Sequence, residues 1–321
     1  MLGADSHAGN GFQELPIPVC FRSGCCCEPA SMVEKNEIDR KHKGLRMNPH
    51  AVRSTSPMTL FRSISKNRGL IYSLIKRDIA GRYSGSVLGL LWSFFNPVLM
   101  LAVYTFVFSV VFKARWVGGS GSKTEFALVL FAGLMVFNLF SECINRAPSL
   151  ILSNVNYVKK VIFPLEILPI VTLGSALFHL LVNFLVWLVF YVIFYGVPHL
   201  GVLLFPLILL PLALMTLGVT WFVASLGVYL RDVAQVISTL VPVLMFLSPV
   251  FYPLKSLPER FQAVVQVSPI TVAVEQARGL MYWGESLDWR VWGLYLVISC
   301  AIAWFGFVWF QKTRKGFADV L

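Results

Sequence analysis

The sequence predicts an all-α membrane protein with six transmembrane helices, an N-terminal amphipathic helix before them, and two short re-entrant helices on the outer face between spans five and six. Three observations carry this. Of the 321 residues 57% are hydrophobic and 13% charged, with mean hydropathy +0.71, whereas a soluble domain carries about a quarter charged residues. Uncharged tracts are long enough to cross a bilayer, which takes roughly 20 apolar residues at about 1.5 Å rise each. Lysine and arginine are divided unequally between the two sides that six spans create.

Residues 1–57 are polar, mixed in charge and punctuated by Gly and Pro, without a sustained apolar period. They are expected to be a disordered cytoplasmic extension. They lack the apolar core of a secretory signal, and Met47 and Met58 lie near where order should begin. Cys25-Cys26-Cys27 lacks the C-x-x-C spacing of a zinc site. It is expected to hold reduced cytosolic thiols rather than a palmitoylated or metal-binding cluster. Residues 58–86 form the region of the amphipathic helix. Within 66–84, Leu70, Ile71, Leu74, Ile75, Ile79 and Tyr83 recur at helical spacing, with Lys76, Arg77 and Arg82 mostly opposite. Such a helix suits the membrane surface.

The spans follow within residues 87–315. The first is expected at about 87–112, in a stretch of 30 uncharged residues between Arg82 and Lys113. The second runs from about 126 to 147, with Glu142 and Arg146 paired at i, i+4. A tract of 64 residues free of Asp, Glu, Lys and Arg, Ile167 to Leu230, holds spans three and four. Tyr195-Gly196-Val197-Pro198-His199 breaks it. The fifth span is placed at about 233–253 and the sixth at about 291–311, leaving 316–321 as a tail. Near the spans, the side of the termini collects twelve Lys and Arg and the other side seven. The positive-inside rule then puts both termini in the cytoplasm.

That orientation disposes of an apparent nucleotide site. Gly118–Thr124, G-G-S-G-S-K-T, resembles a phosphate loop, but Ser122 stands where glycine must precede the lysine. It is expected to be an outer-face turn between two spans.

Two connections are more than turns. Residues 154–163, on the cytoplasmic side, are short and basic, with apolar positions at Val155, Val158, Val161 and Ile162. A helix docking into another protein would look like this, and so would an ordinary headgroup-anchored loop. Residues 254–288, on the outer face, hold two helix starts. Ser256-Leu257-Pro258-Glu259 carries a capping-box pattern, Ser268-Pro269 puts proline in a first turn, and Gly284 is a stop. The pair is too apolar for a free loop and too short to cross, so it is expected to dip into the outer leaflet and return.

No catalytic constellation is present. Metal-dependent D-x-D, H-E-x-x-H and G-x-S-x-G patterns are all missing, and no resident cofactor or metal is expected. The spans carry almost no ionisable residues of the kind that couples a secondary transporter to protons or sodium. His179 and Asn183, at i, i+4, suggest an interhelical hydrogen bond or a polar spot on a pathway. Glu166 follows Pro164 as a helix N-terminal acid, or it contacts a partner. Most of the nine Trp are expected in interfacial belts, although aromatic faces also suit sugar rings.

Several motifs in succession then carry a resemblance. They are Gly85–Phe112 (G-S-V-L-G-L-L-W-S-F-F-N-P…), Lys159–Glu166 (K-K-V-I-F-P-L-E), Ser225–Val233 (S-L-G-V-Y-L-R-D-V), Ser248–Pro253 (S-P-V-F-Y-P) and Ser268–Arg278 (S-P-I-T-V-A-V-E-Q-A-R). Over about residues 60–315 the chain resembles the ABC-2 type permeases that export O-antigen, capsule and teichoic acid polysaccharides. The resemblance implies a homodimer in the bacterial inner membrane, paired with two copies of a separate nucleotide-binding subunit that holds ATP and magnesium. It implies an interface helix using Lys76, Arg77, Asp78 and Arg82. It implies a coupling segment with Asn154, Tyr157, Lys159, Lys160, Phe163 and Glu166, and an outer gate with Pro253, Pro258, Pro269, Glu275 and Arg278. The implied cargo is undecaprenyl-diphosphate-linked polysaccharide, O-antigen foremost; nucleic acid is not an expected partner. Leu165 stands where the family often carries a basic residue before the glutamate. An exporter of small hydrophobic molecules, or a membrane enzyme acting on lipid-linked sugars, are the competing readings.

Overall fold

The computed structural model describes residues 56–86, 88–111, 116, 122–159 and 163–321. The expected disordered extension, its cysteine run and most of the Gly/Ser stretch lie outside them. Among the described residues there are helices and no strand.

Two helices lead in. In α1 (Pro57–Lys66), Ser56 caps the start by accepting from the Met58 amide, and Pro57 occupies the first turn, where its missing N–H costs nothing. Asn67 interrupts the helix, its backbone and side-chain N–H groups both donating to the Ser63 carbonyl. α2 (Arg68–Tyr83) follows, packing Ile71 and Leu74 against Ile167 and Val171. Of the apolar positions expected on this helix, Ile71 and Leu74 are buried and Leu70 is not, and the polar side is not simply basic and turned away. Asp78 and Arg82 face inward to ion-pair partners, for the reason given below. Tyr72 and Leu70 are exposed.

α3 (Trp92–Tyr104) contains Pro97 and widens into a π-helical turn at Thr105–Val111. α4 (Lys123–Leu150) is the axis of the bundle. Every residue from Glu125 to Phe137 is buried, as a helix apolar on all sides must be. After the short α5 (Val155–Lys159) come α6 (Leu168–Tyr195) and α7 (Phe205–Tyr229), separated where expected by Gly196 at φ 82°. α8 (Val233–Leu247), α9 (Glu259–Val267), α10 (Pro269–Arg278), α11 (Trp289–Thr313) and α12 (Phe317–Val320) complete the chain.

With their lead-in turns, the helices Lys123–Leu150, Leu165–Tyr195, Leu200–Tyr229 and Trp289–Gly316 are long and apolar enough to cross a membrane. Trp92–Phe108 and Val233–Leu247 are apolar but shorter. The chain is thus a multi-pass membrane protein by composition and helix length. On α6, Leu177, Leu181, Leu185, Val189 and Ile193 recur at four-residue spacing on the exposed side, a face that lipid tolerates as well as protein does.

Backbones approach closely where glycines allow it. A Cβ on Gly306 of α11 would lie 2.0 Å from the Gly218 carbonyl oxygen of α7, and one on Gly227 of α7 would lie 2.3 Å from the Pro148 carbonyl of α4. These contacts lock α7 between α4 and α11.

One expectation needs correcting. The capping box at Ser256 does not form. Ser256 ends a 3-10 turn, Leu257 and Pro258 are extended at ψ 148° and 142°, and the helix starts at Glu259. Proline pushes the residue before it out of helical conformation, so the turn at Ser256 cannot run on into α9. Trp187 and Trp221 stand apart from the majority expected in belts: both are fully buried, their indole N–H groups donating to the carbonyls of Leu128 and Glu166 at 3.1 Å. A buried indole needs that acceptor.

Candidate functional site

The first part of the site is an ionic junction that holds α2 on the bundle. Asp78 and Arg82 are four residues apart on α2, as Glu142 and Arg146 are on α4, so each pair shares a helix face. Arg146 donates two hydrogen bonds to Asp78, at 2.5 and 2.8 Å. Arg82 donates to Glu142 at 2.5 Å, and His179 Nδ1 of α6 lies 3.0 Å from the same carboxylate oxygen. The pairing expected within α4 is the weakest of these, with Arg146 and Glu142 3.9 Å apart. The charges turn inward because three elements each bring one part of a matched set. Sequence spacing showed the Glu142 and Arg146 pair but not that it faces Asp78 and Arg82. Likewise His179 makes its bond to Glu142 on α4, the interhelical contact that its place on an apolar helix suggested. Lys76 stays exposed.

Burial alone would push the Asp78 carboxyl up. The hydrogen bonds from Arg146 and Ser175, with the charges of Arg146 and Arg82, overcome this and hold it below its usual range. The stabilisation from this pair is therefore complete above the ordinary aspartate value near 3.9. It is lost only as the pH falls through the lowered value.

The second part is the segment between α4 and α6. Asn154 caps the end of α4, donating from its amide to the Leu150 carbonyl at 2.9 Å. Tyr157 stacks flat on Phe163, with centroids 4.3 Å apart at 9°. Its hydroxyl accepts from Arg77 of α2 at 2.9 Å. Glu166 is buried, at 3% exposure. Its carboxylate accepts from Arg314, beyond α11, at 2.6 Å and from Ser63 of α1 at 3.1 Å. Arg314 also donates to the Phe163 carbonyl at 3.0 Å. The segment is thus tied to α2 at its start and to the end of α11 at its finish. Of the residues expected here, the Lys159 side chain and all of Lys160 lie outside the described residues. Sequence reading missed Arg314 and Ser63, because Arg314 counted only as one more basic residue after the last span. Removing the Arg77–Tyr157 bond by Tyr157→Phe should cost about 1 kcal/mol, and Arg77→Met should add little to it. A double-mutant cycle on thermal unfolding checks the pairing.

The third part is the connection between α8 and α11. Pro269 opens α10 as expected, with Ser268 extended at ψ 123°, and Gly284 stops the following turn in left-handed conformation at φ 65°. Pro253 precedes the 3-10 turn and Pro258 precedes α9, so each proline sits at an element boundary. α9 buries none of its residues, whereas α10 buries six. Among them is Arg278, 1% exposed. Its Nε donates to the Val129 carbonyl at 3.0 Å, Nη1 and Nη2 donate to the carbonyls of Pro249 and Val250, and Glu275 accepts at 3.3 Å. The guanidinium also lies 4.6 Å over the Trp116 ring. A side chain on Gly133 would collide with it, since a Cβ there would lie 2.4 Å from Nη2. Burial pushes Arg278 down to about 10 against the pull of Glu275, leaving it a cation at neutral pH. Arg278 therefore bolts α10 to α4 and to the end of α8. The family resemblance implied a place for Arg278 in an outer gate, without the partners that hold it.

Among the described residues no cluster of three or more His, Cys, Asp or Glu is gathered as a metal site would need.

The described residues form a helical bundle whose long apolar helices mark a membrane protein. The chain belongs to the ABC-2 type transporter family, whose model matches residues 69–282. The O-antigen export system permease protein RfbA of Myxococcus xanthus is 28% identical over 262 residues, covering 81% of this chain and 98% of that relative. A protein of the same name from Klebsiella pneumoniae is 24% identical over 260 residues, covering 79% and 97%. The chain is accordingly a permease of the ABC-2 type, a transport subunit.

Proposed function

We propose that this chain is the permease of an ATP-driven exporter that carries undecaprenyl-diphosphate-linked polysaccharide, O-antigen foremost, across the bacterial inner membrane. It works as a homodimer of six-span protomers with both termini in the cytoplasm. Two copies of a separate nucleotide-binding subunit supply ATP hydrolysis and hold the magnesium. α2 is the interface helix, residues 154–163 the coupling segment, and α9 with α10 the re-entrant outer gate. The observation that carries this reading is the tethering of the 154–166 stretch. A displacement of Tyr157 pulls α2 through Arg77, and a displacement of Phe163 or Glu166 pulls α11 through Arg314. A partner docking there has a mechanical path to two membrane elements, and so can bias the bundle between two arrangements.

Reversing the charges of the coupling segment with Lys159→Glu and Lys160→Glu should weaken retention of the nucleotide-binding subunit about tenfold, roughly 1.4 kcal/mol. Co-purification at graded salt reads it, and unchanged retention contradicts the docking role. The cargo is tested by depleting the chain in its host. Long lipid-linked polymer should accumulate inside while the surface loses polysaccharide. A surface that keeps its glycan contradicts the proposal and favours export of small hydrophobic molecules. One feature suits that second reading: an apolar cleft of about 380 Å³ between α3, α4 and α6, lined among others by Leu101, Phe106, Ala127 and Phe194.

A further inference from the structure

A second cleft, of about 490 Å³, opens between α2, α3, α4 and α6 beside the ionic junction. Its lining is far more polar than that of the apolar cleft. Asn96 comes from α3, Asn138 and Ser141 from α4, His179 and Asn183 from α6, and Trp92 stands at the start of α3. Three helices that are otherwise apolar each turn an amide toward one space. The amides of Asn96, Asn138 and Asn183 make no hydrogen bond to the described residues, and each carries two donors and an acceptor. His179 keeps a buried Nε2 without a partner. Asn96 and Asn138 are exposed and Asn183 is half-buried, so the amides stand open to the cleft rather than packed away, and polar groups gathered among apolar helices are the mark of a pathway.

The charges say what kind of ligand fits. Arg82 and Glu142 both line the cleft, but they are bound to each other at 2.5 Å. Arg146, next to them, is occupied by Asp78. Among the described residues the cleft therefore offers no spare cation to an anion, and a diphosphate would meet the Glu142 carboxylate. It offers amide donors and acceptors, a serine hydroxyl, an imidazole nitrogen and the half-exposed indole of Trp92. Those groups match an uncharged ring with hydroxyls at its edge and a C–H face. The volume lies within the roughly 300–1,000 Å³ of small-molecule sites.

We propose that the Asn96–Asn138–Asn183 cleft is a sugar-binding subsite that takes neutral pyranose units and not the diphosphate of the carrier. The inference rests on the reading of the chain as a polysaccharide exporter and goes beyond it by naming where sugars are held. Asn138 carries the test. The photo-crosslinking residue p-benzoylphenylalanine replaces Asn138 in one variant and Phe106, exposed on the π-helical turn after α3, in another, both in the full complex in cells making polymer. Irradiation should give a periodate-positive, sugar-bearing adduct at position 138 and none at 106. Separately, Asn96→Leu, Asn138→Leu and Asn183→Leu should each slow polymer export about tenfold with the nucleotide-binding subunit still bound, and the serine variants should recover part of the loss. An adduct at 138 with lipid alone or with a second copy of the chain, or no adduct beside normal export in the leucine variants, overturns the subsite and leaves the exporter standing. Failure of the exporter reading shows itself differently, as surface polysaccharide that survives depletion of the chain.

Discussion

Arg278→Ala is expected to destabilise the folded chain by about 3–5 kcal/mol, the range for removing one partner from a buried charged network. Three losses combine. The carbonyls of Val129, Pro249 and Val250 are left without their donor, and an unpaired buried carbonyl costs more than its hydrogen bond gave. A cavity opens against Trp116. Glu275 keeps a carboxylate whose partner is gone. Arg278→Lys should recover only part, because an ammonium cannot reproduce a planar fork aimed at three carbonyls. Thermal unfolding of the purified chain in detergent reads the effect. Gly133→Leu should act in the same direction, since a side chain there enters the space of the guanidinium. A midpoint for Arg278→Ala within about a degree of the parent would contradict the bolt between α10, α4 and α8.

Gly306→Leu is expected to cost about 3 kcal/mol, at the upper end for overpacking. The obstacle is the Gly218 carbonyl, 2.0 Å from the added Cβ. Backbone in two long helices has no rotamer by which to give way, so α7 and α11 must separate along their length. Gly81→Ala is the matched control. Nothing lies within 4 Å of a Cβ at that position, and alanine is the better helix former by up to about 1 kcal/mol. Unfolding midpoints should fall for Gly306→Leu and hold or rise for Gly81→Ala.

What was legible in the sequence follows from what periodicity and punctuation encode. α4, α6, α7 and α11 were evident because length and hydropathy are local properties, and Gly196, Pro269 and Gly284 marked real boundaries. The inward turn of Asp78 and Arg82 was not, because which face of a helix meets a partner depends on what other helices bring. The same holds for Arg314 and Glu166, which are 148 residues apart. Gly133 gave no signal at all. Its function is to be empty where an arginine arrives from a segment more than a hundred residues later. Of the three asparagines of the polar cleft only Asn183 stood out in the sequence, and only the packing of α3, α4 and α6 shows that they converge.

The central claim is that this chain, driven by ATP through its nucleotide-binding partner, moves lipid-linked polysaccharide across the membrane. Inverted inner-membrane vesicles containing both subunits test it most directly. Lipid-linked polymer presented on the outer, cytoplasm-derived face is followed by its resistance to an added glycosidase. The account predicts that polymer becomes protected only when ATP is hydrolysed and only when this chain is present. Polymer that stays fully digestible with ATP, or becomes protected equally in vesicles lacking this chain, would contradict it.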